Sequence, residues 1–123
     1  MPKKVLIIDD EPEICKMVTD FLMDAGYAAS YALNGPDGLR AIAQDPPTLV
    51  LLDVGLPGMD GVAVMRAIHE KNPSLAVVIL TGYKDNDIVK KLIEYGACEY
   101  LTKPINLETL LEQFVKDIIG PPC

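Results

Sequence analysis

Short apolar runs alternate along the whole chain with stretches whose apolar residues recur at helical spacing. The runs at residues 5–9, 28–32, 49–53, 77–81 and 100–102 have the length of strands. The third, LVLLD, is apolar without alternation, the pattern of a parallel strand covered on both faces. The second, AASYA, is more polar, which predicts a sheet edge.

Helices are expected between the runs. The first begins near Pro12, a favoured first-turn residue, turns Ile14, Val18, Phe21, Leu22 and Ala25 to one face, and stops at Gly26. The second is predicted over residues 36–44, before Pro46-Pro47, and the third over 62–71, with Met65 and Ile68 inward and Asn72-Pro73 as its end. The fourth points Ile88, Val89, Leu92 and Ile93 inward and stops at Gly96. The last is capped by Asn106 and buries Leu107, Leu110, Leu111, Phe114 and Ile118.

Strict alternation of five strands and five helices predicts an α/β fold. It is a three-layer, doubly wound five-stranded parallel sheet. Right-handed crossovers favour the flavodoxin-like strand order 2-1-3-4-5. A Rossmann half is the competitor, but the first turn lacks GxGxxG, and its acids would repel a pyrophosphate. The expected division is a single domain over residues 1–120, with 121–123 a tail or the start of a linker.

Composition narrows the function. The chain has 123 residues, half of them apolar, enough for one domain with a real core. Its net charge of −7 argues against direct nucleic-acid binding. No apolar run approaches the length of a membrane span, and the N-terminal segment lacks a signal-peptide cleavage site. Cys15, Cys98 and Cys123 stand at no metal-ligand spacing and fit a reducing, cytoplasmic setting.

The chemistry lies where the strands end. VLIIDDE passes from four apolar residues directly into three acids, Asp9, Asp10 and Glu11. The third run ends in Asp53, the fourth in Thr81-Gly82, and the fifth leads into Lys103-Pro104. In a doubly wound sheet ligands bind beyond the carboxyl ends of the strands, where strand order reverses. Carboxylates gathered there repel one another unless a cation sits among them. Oxygen-only ligands at an accessible rim suit Mg²⁺, which binds one or two carboxylates, waters and a phosphate. Lys103 is then the fixed countercharge, for Asp53 or for a phosphoryl oxygen. Thr81 offers a hydroxyl donor, and Gly82 leaves room for the incoming group. Asp53 is the candidate nucleophile, since carboxylates form aspartyl-phosphate intermediates.

With VLIIDDE, LLDVGLPGMDG, ILTGY and YLTKP in this order and spacing, the chain resembles a receiver domain of the two-component response-regulator family over residues 3–119. The resemblance implies that Asp53 accepts a phosphoryl group from a sensor histidine kinase, a phosphotransfer protein or a small phosphodonor. It implies Mg²⁺ held by Asp10, Asp53, the Gly55 carbonyl and, partly through water, Asp9. Thr81 and Lys103 would bind phosphoryl oxygens, Tyr100 would be the switch aromatic, and the Lys103–Pro104 bond would be cis. It further implies slow autodephosphorylation, a switching surface on helix 4, strand 5 and helix 5, and a signalling phosphoacceptor rather than a turnover enzyme. An output domain or downstream partner is left open, as is a monomer or a weak phosphorylation-dependent dimer.

Two departures bear on the lifetime of the phosphorylated form. Gly55 stands where the family often has a larger side chain, which exposes the phosphoryl group to water, whereas the bulk of Tyr83 works the other way. Pro57 and Asp60 belong to the acidic, turn-rich loop that follows Asp53. His69, in the polar stretch HEKN, reads as a solvated residue, and Glu11 and Glu13 as acids favouring the first helical turn. Two other classes share the fold: a phosphorylation-independent interaction module, and a metal-dependent phosphohydrolase. The DxDxT pattern of the latter is absent, because Val-Gly-Leu follows Asp53.

Overall fold

A computed structural model describes residues 2–55, 61–82 and 86–123, and the expected alternation is realised. The elements are β1 (Lys4–Ile8), α1 (Pro12–Asp24), β2 (Ala28–Ala32), α2 (Gly35–Gln44), β3 (Leu49–Asp53), α3 (Gly61–Lys71), β4 (Ala76–Thr81), α4 (Asn86–Glu94) and β5 (Glu99–Thr102). A final helical run follows in three segments: α5 (Leu107–Thr109), a π-helical segment (Leu110–Val115) and α6 (Lys116–Ile119). Pro57, Asp60 and Tyr83 lie outside the described residues.

The strands form one parallel sheet in the order β2-β1-β3-β4-β5. Successive strand residues point to opposite faces, so the apolar runs supply two cores. On one face Val5, Ile7, Leu49, Leu51, Val78 and Leu80 meet α1 and the last helical run through Cys15, Val18, Leu22, Leu110 and Val115. On the other, Leu6, Ile8, Val50, Leu52, Val77 and Ile79 meet Ile42, Val64, Met65, Ile68 and Leu92 of α2, α3 and α4. The central strand β3 is buried throughout, while the small, polar β2 is a half-exposed edge.

Helices α1 and α4 end in the same way. Gly26 and Gly96 take φ of +100° and +108°, and the next residues, Tyr27 and Ala97, donate back five positions to the Leu22 and Leu92 carbonyls. This left-handed stop is open to glycine without penalty.

Two expectations about helix faces need correction. Ile93 is 45% exposed rather than inward. Helix α4 packs onto this core through Leu92, with Ile88 at its margin, and Val89 is buried as well; Ile93 lies about 100° around the helix from Leu92. In the final run the buried residues are Leu110, Leu111 and Val115, whereas Leu107, Phe114 and Ile118 are half-buried. The π winding of its middle segment turns Val115, not Phe114, toward the sheet.

Candidate functional site

Register decides what meets at the rim. Ile8 pairs with Leu52, Asp53 with Leu80 and Thr81 with Thr102, so β1, β3, β4 and β5 finish at the same level. Asp9 follows β1 directly and is fully buried, its N–H donating to the Ala32 carbonyl at 3.1 Å. Asp53 and Thr81 are buried at the ends of β3 and β4, whereas Asp10 is exposed. One carboxylate oxygen from each of Asp9, Asp10 and Asp53 lies within 4.8 Å of the others.

Lys103 enters this group from the end of β5. Its ammonium donates to Asp9 Oδ2 at 2.9 Å and lies 3.5 Å from Asp53 Oδ2 and 3.6 Å from Glu11 Oε1. The Lys103 N–H donates to the Thr81 carbonyl at 2.8 Å, which ties the corners of β4 and β5 together. The bond to Pro104 is cis. The sequence left Asp53 or a phosphoryl oxygen as the partner of Lys103; among the described residues the nearest carboxylate is that of Asp9.

The electrostatics follow from crowding and burial. Burial, and next the charge of Asp9, push the Asp53 carboxyl above its ordinary range. The Lys103 ammonium and the Gly55 N–H, 3.3 Å from Asp53 Oδ1, oppose the rise without cancelling it. Burial alone would lower Lys103, but its hydrogen bond to Asp9 and the charges of Asp53, Asp9 and Glu11 outweigh that and raise it. One ammonium is therefore shared among three acids, and Asp10 adds a fourth close by. Oxygen-only donors with surplus negative charge are the donor set of a hard divalent cation, and these residues fit Mg²⁺.

Space is left for a further group. Among the described residues, a Cβ placed on Gly55 or on Gly82 would meet nothing within 4 Å. Tyr100 is 43% exposed on β5. His69 stands outside the group, beside Gly96 at the end of α4.

Three residues take parts that the sequence did not reveal. Glu11 reaches Lys103 with its carboxylate, and its N–H orients Asp9 by donating to Oδ1 at 3.0 Å. Its adjacency to Asp9-Asp10 was the available signal. Cys15 lies beneath the site, its thiol donating to the Asp9 carbonyl at 3.3 Å. Burial, and next the charge of Asp9, push that thiol up to about 12. Gly61 begins α3 against the backbone after β3, where a Cβ would come within 2.8 Å of Val54 Cα and 3.3 Å of the Asp53 carbonyl.

Comparison with known proteins gives a consistent result. A family model described as "Response regulator receiver domain" matches residues 5–115. The sporulation initiation phosphotransferase F of Bacillus subtilis (strain 168) is 30% identical over 116 residues, 94% of either chain. The DNA-binding transcriptional regulator NtrC of Escherichia coli (strain K12) is 34% identical over 85% of this chain, which spans only 22% of that protein. Among solved structures, a CheY-like response regulator receiver domain protein from Methanospirillum hungatei JF-1 superposes with a TM-score of 0.91 at 29% identity. That match covers 96% of this chain and 94% of the other. The chemotaxis protein CheY4 of Vibrio cholerae also gives 0.91, at 28% identity over 97% and 100% of the two chains.

Proposed function

The chain belongs to the response regulator receiver domain family of two-component signalling, and on that premise we propose that it accepts a phosphoryl group on Asp53 in a Mg²⁺-dependent reaction and passes the change to its helix α4–β5–last helical run surface. The observation that carries this reading is the meeting of Asp9, Asp10 and Asp53 within 4.8 Å, with Lys103 shared among them.

Asp10 and Asp53, the Gly55 carbonyl and, partly through water, Asp9 would hold the ion. Bound Mg²⁺ supplies neutralisation of the negative charge shared by the acceptor and the incoming group. The Asp53 carboxylate attacks phosphorus; the acyl–phosphate bond forms as the bond from phosphorus to the donor's nitrogen or oxygen breaks, and the donor leaves with that electron pair. Phosphorylation exchanges one negative charge for about two and adds three acceptor oxygens. Lys103 and the Thr81 hydroxyl turn toward those oxygens, and Gly82 leaves room. Displacement of Thr81 opens space for Tyr100 to turn inward. Moving such an equilibrium from about 1:99 to 99:1 takes roughly 5.5 kcal/mol. A few charge-assisted contacts of about 1.5–3 kcal/mol each supply it.

The donors that fit are a sensor histidine kinase, a phosphotransfer protein or a small acyl phosphate. Among the described residues the side of Gly55 is open, which gives water access to the acyl phosphate and supports self-dephosphorylation. Among the described residues no helix is long and apolar enough to cross a membrane, and a cytoplasmic site of action accords with the kinase partner. Output through an attached domain or a separate protein, and a weak dimer on phosphorylation, belong to the same reading. The chain spans about a quarter of several relatives, among them a protein named cyclic di-GMP phosphodiesterase from Thermotoga maritima.

The test is mass spectrometry of the intact protein after incubation with Mg²⁺ and acetyl phosphate. The unaltered protein gains one phosphoryl group, and Asp53→Asn does not. Equal uptake by both overturns the assignment.

A further inference from the structure

The last helical run carries three apolar doublets four residues apart: Leu110-Leu111, Phe114-Val115 and Ile118-Ile119. In an uninterrupted α-helix, with 3.6 residues per turn, Leu107, Leu111, Phe114 and Ile118 line one face. The run is wound differently. The Lys116 N–H donates to the Leu111 carbonyl five positions back. Such a turn holds one residue more than an α turn, and one residue rotates everything downstream by about 100°. Val115 therefore reaches the core and is 0% exposed, while Phe114 sits half-buried at its margin. Each doublet offers a second apolar residue at the neighbouring position. The α winding would fill the same place with Phe114, so the two windings differ in which member faces the sheet, not in whether an apolar residue does.

Both ends of the run are pinned. Upstream, the Asn106 side chain accepts the Thr109 N–H at 3.0 Å and its carbonyl accepts the Leu110 N–H at 2.9 Å. Downstream, the pins come from the other end of the chain. Gly120, at φ +79°, turns the backbone off the helix, and its carbonyl accepts the Tyr27 hydroxyl at 2.6 Å. The Lys3 ammonium donates to the Ile119 carbonyl, and the Lys3 N–H donates to the Pro122 carbonyl at 2.7 Å. The Pro122 ring covers Gly26, where a Cβ would come within 3.1 Å of it. Residues 120–122 are thus docked where β1 begins and α1 ends.

We propose that the last helical run is a two-register device held in its π winding by this C-terminal latch. Released, the run becomes a continuous α-helix with Phe114 in the place of Val115, and Lys116 and Asp117 on its outer face turn by about 100°. Whatever draws residues 120–122 away from Tyr27 and Lys3 therefore re-aims that surface. The device needs no phosphoryl group on Asp53, so it stands or falls separately from the acceptor assignment.

Two variants open the latch at different points. Tyr27→Phe removes only the hydroxyl, and deletion of residues 121–123 removes the Pro122 contacts. Scalar couplings across hydrogen bonds, measured by NMR, report which carbonyl the Lys116 N–H bonds. The expected partner is Leu111 in the unaltered protein, shifting toward Glu112 in both variants. In urea unfolding, Val115→Ala lowers the midpoint more than Phe114→Ala in the full chain, and the order reverses after the deletion. A Leu111 partner in every variant, a Glu112 partner in the unaltered protein, or an unchanged order of the alanine effects each overturns the device.

Discussion

Lys103 Nζ stands 2.9 Å from Asp9 Oδ2 but 3.5 Å from Asp53 Oδ2. The ammonium is anchored on the fully buried acid at the end of β1, and Asp53 shares it from the side. A buried carboxylate without a countercharge is costly, so Asp9 and Lys103 hold each other in place. Asp53, the more loosely paired of the two, is the acid left available to a new partner.

Lys103→Ala should therefore destabilise the protein through Asp9. Removing one partner of a buried pair costs about 3–5 kcal/mol, and the lower end applies because the Glu11 N–H still reaches Asp9. Mg²⁺ should restore part of the loss by supplying positive charge to the same acids. Urea unfolding with and without Mg²⁺ checks both statements; a neutral effect in the absence of Mg²⁺ would show that Asp9 does not depend on Lys103.

Gly61→Ala tests the close approach behind the site. The added methyl meets Val54 backbone rather than a side chain that can turn away. A loss of about 1–3 kcal/mol is expected from the forced shift. Because the displaced backbone carries Asp53, calorimetric Mg²⁺ affinity should weaken as well. Unchanged affinity with lowered stability would separate the helix start from the geometry of the site.

Tyr27 gives the alkaline limb of stability a defined sign. Burial holds its phenol above the ordinary value of 10.0 in the folded protein. The unfolded chain loses that proton first as pH rises, so this contribution is complete below the ordinary value and disappears through the folded one. Tyr27→Phe should cost about 1 kcal/mol near pH 8, where the bond to Gly120 is lost. The gap between the two proteins should narrow as pH rises above the ordinary value of 10.0. Urea midpoints across this range measure it, and a constant gap contradicts the prediction.

The three thiols should separate by reactivity. Cys98 and Cys123 are exposed, whereas Cys15 is buried and its thiol is held up to about 12. A disulfide reagent at pH 8 should label two thiols at once. Cys15 should follow roughly a thousandfold or more slowly, paced by the unfolded fraction. Subdenaturing urea should speed only the third. Three equal rates would place Cys15 outside the core.

Much of the molecule was legible in the sequence because it rests on local pattern. Apolar runs of strand length, helical spacing of apolar residues, Gly26 and Gly96 as stops and Asn106 as a cap are all read within a few residues of where they act. The handedness of crossovers then limits the sheet order, and the acids that follow β1 and end β3 fall at one rim by consequence. That is why Asp9, Asp10, Asp53, Thr81 and Lys103 could be named before any coordinate.

Distances between remote residues were decided by the tertiary structure. Lys103 and Asp9 are 94 positions apart, and only strand register and loop path determine whether Asp9 or Asp53 lies closer to the ammonium. Glu11 joins the site from the turn that follows β1, which carries no periodicity to read, and Cys15 from the first turns of α1, whose contact with the Asp9 carbonyl no spacing reveals. Ile93 and the Phe114-Val115 pair show the same limit within helices. Adjacent apolar residues satisfy a helical pattern equally well, so the packing partner and the latch at residues 120–122 select which one faces the core. Periodicity thus specified elements and faces, whereas the choice between neighbouring residues and neighbouring charges was made by contacts closing over loops of some ninety residues and more, a scale that local sequence patterns do not encode.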